Sequence, residues 1–236
     1  MTFNSIDKLE NTINTYTIDS IFQLEKTDRQ FTAINEARRQ SKKHISKNLF
    51  LYLIIQCSLI TYQIAWSWEL WRQERADKII KDKIYIKNHW YENIERRYSF
   101  LTQSKNNRRI YNIKTKRLKI FKQSTMYKKL FSYKRSPIIF LKDLAKSMNQ
   151  NQNAKTIVFA CKIYNYGLRI ILAKNIAFPK NIPMPIDSRI IKNYQTITWN
   201  KWDIYQIQKF FCDIAKKNNI APLHLDSLLR IKQQKK

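Results

Sequence analysis

Hydrophobic positions in this chain recur at helical spacing. Within the otherwise polar residues 1–48, Ile18, Phe22, Phe31 and Ile34 are placed for a helical face, with Asp28-Arg29-Gln30 between them. Residues 49–68, LFLYLIIQCSLITYQIAWSW, are the most apolar stretch. They are long enough to cross a bilayer, but Gln56, Ser58, Thr61 and Gln63 break the run. Trp66, Trp68 and Trp71 then follow in sequence that stays helical into RQERADK. A buried core helix is the favoured reading, with a membrane span the lesser one.

Further on, SKNNRRIYNIKTKRLKIF sets Ile110, Ile113, Leu118 and Phe121 among charges, so one side packs while the other presents a cationic stripe. Pro137 marks a boundary ahead of the helix-compatible IIFLKDLAKSM. The polar tract NQNQN after it reads as a connection, because Asn tolerates left-handed backbone. The next helix opens at Lys155 in KTIVFACKIYNYGLRIILAK and is apolar enough to be almost wholly buried, with Gly167 permitting close approach of a neighbouring backbone. FPKNIPMPIDSR holds three prolines, which force a stiff, extended connection. Asp187 ends it where an N-cap belongs, ahead of SRIIKNYQ. Two further helices are expected, WDIYQIQKFFCDIAKKNN and, introduced by Pro222, LHLDSLLRI. The pattern is all-α.

Composition sharpens this picture. The 236 residues contain a single glycine. Nucleotide folds built on G-x-G-x-x-G or G-x-x-x-x-G-K-[ST] loops are thereby excluded, since those loops need several glycines for backbone approach to phosphate. A hairpin-rich sandwich or barrel is poorly served for a related reason. With 13% aromatic residues the chain carries more apolar surface than a disordered one. Cys57, Cys161 and Cys212 are odd in number and far apart, which offers neither a disulfide framework nor a thiolate metal cluster. Asp7 and Glu10 interrupt any apolar leader near the N-terminus.

Charge points to the partner. Lys and Arg number 45 against 17 Asp and Glu, a formal net charge of +28, which attracts polyanions, nucleic acid first and an anionic membrane second. Residues 96–142 contain no acidic residue, while 15 of the 47 positions are Lys or Arg. Without compensating carboxylates this stretch reads as phosphate-contacting, with Arg108, Arg109, Lys116 and Arg117 as candidates.

The carboxylates beyond position 143 are Asp187, Asp203, Asp213 and Asp226. Asp203 and Asp213 fall on the polar side of an amphipathic helix as surface charges. Asp187 closes the proline-stiffened approach, and Asp226 lies within an apolar segment. Lys155 opens a nearly apolar helix, where the helix dipole and partial burial would favour an uncharged amine. Such an amine is a nucleophile able to form a Schiff base with a sugar carbon; the ordinary alternative is a lysine that snorkels into solvent. Phe159, four residues on, shares its face and offers a surface for an extruded base.

QNAKTIVFACKIYNY at 152–166, IPMPIDSR at 182–189 and IAPLHLDSLL at 220–229, supported by LITYQ at 59–63 and SKNNRRIYNIKTKRLKI at 104–120, together resemble a known family in order and spacing. It is the archaeal 8-oxoguanine DNA glycosylases often called AGOG, a branch of the helix–hairpin–helix glycosylase superfamily. The resemblance runs from about residue 20 to the C-terminus. It implies one two-lobed helical domain, 1–236, with lobes near 20–100 and 101–236 and the active-site cleft between them.

By that resemblance Lys155 attacks the deoxyribose C1′ and holds it as a Schiff base, and Asp187 assists the attack and stabilises the cationic sugar. Phe159 stacks on the extruded base, Asp226 contacts the purine as acceptor of the N7–H that guanine lacks, and Gln30 reads another edge. Where the family carries a tryptophan after LDSLL this chain has Arg230, so a guanidinium plane stands in for a stacking wall. The hairpin before Lys155 lacks the usual glycine, so either Asn151 or Asn153 is expected to make its turn or the hairpin is expected to be reduced. The resemblance implies a bifunctional glycosylase and abasic-site lyase acting on DNA containing 8-oxoguanine. It implies no cofactor, no metal, no membrane and no obligate protein partner, for a monomer working inside the cell at the nucleoid. The alternative that charge alone allows is a non-catalytic, ribosomal-type nucleic-acid-binding protein.

Overall fold

The computed structural model describes residues 5–43, 45–61, 110–198 and 203–234. Regular structure among them is helical throughout: α1 (Ile6–Asn14), α2 (Ile18–Lys26), α3 (Arg29–Ser41) and α4 (Lys47–Leu59), then α5 (Tyr111–Gln123), a 3-10 segment (Met126–Arg135), α6 (Pro137–Ser147), α7 (Lys155–Leu172), α8 (Ser188–Thr198), α9 (Ile204–Lys217) and α10 (Pro222–Gln234). The starts follow local chemistry. Ser5, Thr17, Asp28, Ser46 and Asp203 each accept an N–H from the first turn of the helix they precede, satisfying donors that the helix itself leaves open. Pro137 occupies the first turn of α6, where a missing N–H costs nothing.

The helix ends show what a glycine-poor chain does instead. Left-handed backbone falls on Asn149 after α6 (φ 48°), Ala173 after α7 (φ 51°) and Asn219 after α9 (φ 55°). At the first of these the Gln150 N–H bonds the Ala145 carbonyl at 2.9 Å, closing the helix end as a Schellman-type turn. The hairpin's left-handed residue is therefore Asn149, not Asn151 or Asn153. Asn151 has another task, accepting the Asn153 N–H on its side chain at 2.8 Å.

Two apolar cores hold the helices together. The first gathers α4, the 3-10 segment, α6 and α7, with Ile34, Phe121, Phe178 and Leu223. The second joins Leu9, Ile13 and Ile21 of the N-terminal helices to α8, α9 and the outer part of α10. The lobe boundary expected at 100–101 lies outside the described residues. Within them the N-terminal helices share a core with the C-terminal ones.

The apolar stretch is a core helix, with Leu49 to Ile60 all buried, and α4 stops at Leu59. The rest of that stretch and the expected helical continuation lie outside the described residues. No helix among the described residues is long and apolar enough to cross a membrane. Gly167 faces α4, and a Cβ there would collide with the Ile54 side chain and press on Leu51. The close approach it allows is to side chains, not to backbone.

Two amphipathic faces differ from expectation. Ile18 is exposed while Phe22 and Ile34 are buried, because Ile18 is the first residue of α2, beyond the reach of the core. On α5 the buried side is Lys114, Leu118 and Phe121, and Ile110 and Ile113 face outward. Helical spacing of four and three residues from Lys114 sets that face, and it takes a lysine inward.

Candidate active site

One stripe of α7 organises the site. Lys155, Phe159, Lys162, Tyr166 and Arg169 stand at i, i+4, i+7, i+11 and i+14, so they follow one face of the helix. Exposure falls along it: Lys155 is exposed, Phe159 half-buried, and Lys162, Tyr166 and Arg169 buried. The partial burial expected for Lys155 is absent in the protein alone. Ala154, ahead of it, gives no side-chain cap to the helix start.

The buried end of the stripe meets a polar network at the seam between the cores. Lys162 Nζ lies 2.6 Å from Asp226 Oδ2 of α10 and 3.8 Å from Asp28 Oδ2. Tyr166 donates to Asp28 Oδ2 at 3.2 Å and lies 3.2 Å from Ser227 Oγ. Burial, with the charges of Glu25 and Asp28, pushes the Tyr166 phenol well above its ordinary range, so it stays a donor. Asp28 also accepts the Gln30 N–H at 2.8 Å, which holds the buried Gln30 beside this group.

One turn further, Arg169 pairs with Glu25, and Glu25 Oε1 lies 2.9 Å from His224 Nδ1. The Phe178 N–H donates to His224 Nε2 at 3.2 Å, so Nδ1 carries the proton facing Glu25. Burial pushes the Glu25 carboxyl upward, but the hydrogen bond from His224 and the charges of Arg169 and Lys162 hold it below its ordinary value. The Arg169 guanidinium is packed against Phe22, Phe31 and Tyr166, at 4.7, 5.1 and 5.6 Å from their ring centres. Cations buried this deeply persist only with partners, and removing one partner of such a pair costs about 3–5 kcal/mol.

Asp187 sits on the approach expected for it. Its Oδ1 accepts the Arg189 and Ile190 N–H groups at 3.0 and 3.1 Å, which makes it the N-cap of α8, and its Oδ2 takes the Arg189 guanidinium. Partial burial pushes the carboxyl up, but the Arg189 hydrogen bond and charge, the Ile190 N–H and the Arg230 charge outweigh it and hold Asp187 below its ordinary value. Through its charge Arg230 reaches both aspartates. It is 3.8 Å from Asp226 Oδ2. Burial would lower its pKa, yet Asp226, Asp28 and Asp187 together raise it, keeping the guanidinium firmly charged.

Asp187, Arg230, Asp226 and Gln30 thus gather around the seam, with Phe159 on the stripe that leads to Lys155 at its outer end. Of the phosphate candidates, Lys116 is exposed, Arg108 and Arg109 lie outside the described residues, and Arg117 is hydrogen-bonded within the protein. Sequence reasoning missed Lys162, Asp28, Tyr166, Arg169, Glu25 and His224. The signal was present: cations at 155, 162 and 169 in an otherwise apolar helix demand buried acids opposite two of them. Among the described residues no group of His, Cys, Asp and Glu could hold a metal ion. Burial raises the Cys161 thiol far above its ordinary range, which leaves it inert as a nucleophile.

Comparison with known proteins places this arrangement. A family model described as AGOG, N-glycosylase/DNA lyase, matches residues 10–233. An N-glycosylase/DNA lyase of Methanococcus maripaludis is 32% identical over 209 residues, covering 87% of this chain and 78% of that protein. One from Methanopyrus kandleri is 33% identical over 181 residues, 75% of this chain and 70% of that one. The 8-oxoguanine DNA glycosylase of Pyrobaculum aerophilum, crystallised with 8-oxoguanosine, superposes with a TM-score of 0.77 at 19% identity, over 94% of this chain and 84% of that one. That likeness concerns the all-helical fold, which the two chains share.

Proposed function

The chain belongs to the AGOG family of N-glycosylase/DNA lyases, enzymes of DNA repair, and from that premise we propose that it excises 8-oxoguanine through a Schiff base on Lys155. A basic chain that merely binds nucleic acid is set aside by that membership. The observation that carries the reading is the α7 stripe: an exposed amine at the outer end, an aromatic ring one turn in, and a carboxylate paired with Lys162 at the seam. A nucleotide swung out of the duplex would meet these groups in the order its parts require, with sugar at Lys155, base face at Phe159 and base edge at Asp226 and Gln30.

Lys155 Nζ attacks C1′, the bond from C1′ to the base nitrogen breaks, and the base leaves with the electron pair. Asp187 faces the positive charge that develops on the sugar and takes a proton from the attacking amine. Opening of the sugar ring gives the iminium, whose C2′ proton is acidic. Loss of that proton expels the 3′ phosphate by β-elimination, which is the lyase step.

Asp226 supplies base choice. 8-Oxoguanine carries a proton on N7 that a carboxylate accepts, whereas guanine presents a lone pair there that faces the carboxylate without a hydrogen bond, a difference of about 1.5–3 kcal/mol for a charged hydrogen bond. We propose further that the enzyme works as a monomer, inside the cell at the nucleoid, with the exposed Lys116 among its phosphate contacts. The test is excision from paired duplexes that differ only in carrying 8-oxoguanine or guanine. Selective release of the oxidised base is expected; equal release, or none, contradicts the reading.

A further inference from the structure

Arg117 makes a set of bonds that the cationic stretch around it does not explain. From α5 its Nε donates to the Leu59 carbonyl at 3.1 Å, and its terminal nitrogen donates to Gln150 Oε1 at 3.1 Å and to Thr156 Oγ1 at 3.1 Å. Thr156 in turn donates to the same Gln150 oxygen at 3.0 Å. Four elements meet at one guanidinium: the last residue of α4, α5, the hairpin, and the first turn of α7. Gln150 is fixed from the other side by its N–H on Ala145. The Leu59 carbonyl belongs to a helix end that lacks intrahelical partners, where a cation is favoured.

The first turn of α7 has no side-chain cap of its own, since Ala154 stands at the cap position. Thr156, bonded to Arg117 and Gln150, is the residue after Lys155. We propose that Arg117 is a positioning residue: by clamping Gln150 and Thr156 to the end of α4 it sets where Lys155 projects, and does not itself contact DNA phosphate. The inference rests on Lys155 being the nucleophile. It requires the planar fork of an arginine, because a lysine ammonium cannot reach the Leu59 carbonyl and the Gln150–Thr156 pair with the same geometry. A reacting amine displaced by about 1 Å loses on the order of 100-fold in rate.

The experiment compares full-length wild type, Arg117→Lys, Arg117→Gln and Gln150→Leu. For each, the single-turnover excision rate at saturating enzyme and the salt dependence of DNA affinity are measured on an 8-oxoguanine duplex. Arg117→Gln and Arg117→Lys are both expected to lose about 100-fold in rate while keeping the wild-type salt slope, and Gln150→Leu to lose rate in the same sense. A shallower slope by about 0.9 for Arg117→Gln, rescue of rate by Arg117→Lys, or full activity in Gln150→Leu would overturn the proposal. Gln150→Leu leaves the Arg117 bond to α4 in place, so the question stays answerable if the arginine variants fail to fold. Borohydride trapping of the wild type on Lys155, run alongside, separates the two ideas. Trapping at Lys155 with undiminished Arg117 variants rejects the clamp alone, and a wild-type adduct at another residue rejects the nucleophile and the clamp with it.

Discussion

Lys162 Nζ lies 2.6 Å from Asp226 Oδ2, with both side chains shut away from solvent. The pair bridges α7 to α10 across the seam of the two cores, and the carboxylate that would read the base depends on it. Lys162→Met removes the nearest cation from Asp226 and from Asp28, 3.8 Å away. A loss of about 3–5 kcal/mol in unfolding free energy is expected, read from the urea midpoint. The double variant Lys162→Met with Asp226→Leu is expected to recover part of that loss, since Asp226 no longer stands uncompensated while Asp28 still lacks its cation and Arg230 its nearest carboxylate. Equal stability of the wild type and Lys162→Met would show that the pair does not bind the cores together.

The base choice proposed for Asp226 rests on its charge. Asp226→Asn keeps the shape but replaces one carboxylate oxygen by a donor. Preference for 8-oxoguanine over guanine, as the ratio of single-turnover excision rates, is expected to fall by about 10–150-fold, the equivalent of one charged hydrogen bond. An undiminished ratio would assign the N7–H to another acceptor.

On the proposed role of Asp187 the carboxylate form is the active one. Its folded value lies below the ordinary 3.8, so the acid limb of excision is expected where pH falls through that lowered value. The stability it contributes has the same sign, present above the unfolded value and lost as pH drops. In Arg189→Ala, the guanidinium is gone and partial burial is opposed by the backbone N–H groups of residues 189 and 190 and by Arg230. The acid limb of the pH–rate profile is then expected to move to higher pH, and an unmoved limb would deny Arg189 this influence.

Much of the helical order was legible in the sequence because it rests on local chemistry. Pro137, the proline-stiffened 178–187 segment and Asp187 mark their boundaries by backbone geometry and hydrogen bonding that do not depend on distant residues. Lys155, Asp187 and Asp226 stand out in the sequence as candidates, because each lies in an uncommon setting. The buried network was not legible. Lys162 and Arg169 look like surface cations until Asp28, Glu25 and His224 arrive from helices more than 50 residues away in sequence. Arg117 looks like one more cation of a basic stretch for the same reason, since the carbonyl and amide that engage it come from α4 and the hairpin.

The scarcity of glycine has a measurable cost. Ala173 ends α7 in left-handed backbone with φ 51°, a conformation that strains a residue with a Cβ by about 1–2 kcal/mol. Ala173→Gly is expected to raise Tm by about 2–4 °C for each 1 kcal/mol recovered in a chain of this size. A lowered Tm would mean that the alanine methyl contributes packing that outweighs the strain.

The central claim is that Lys155 forms the covalent link to the sugar. Borohydride trapping on a duplex containing 8-oxoguanine, followed by mapping of the cross-linked peptide, tests it directly. Wild type is expected to yield an adduct on the peptide bearing Lys155, and Lys155→Gln none. An adduct of undiminished yield in Lys155→Gln, or one that maps to another lysine in the wild type, contradicts the account.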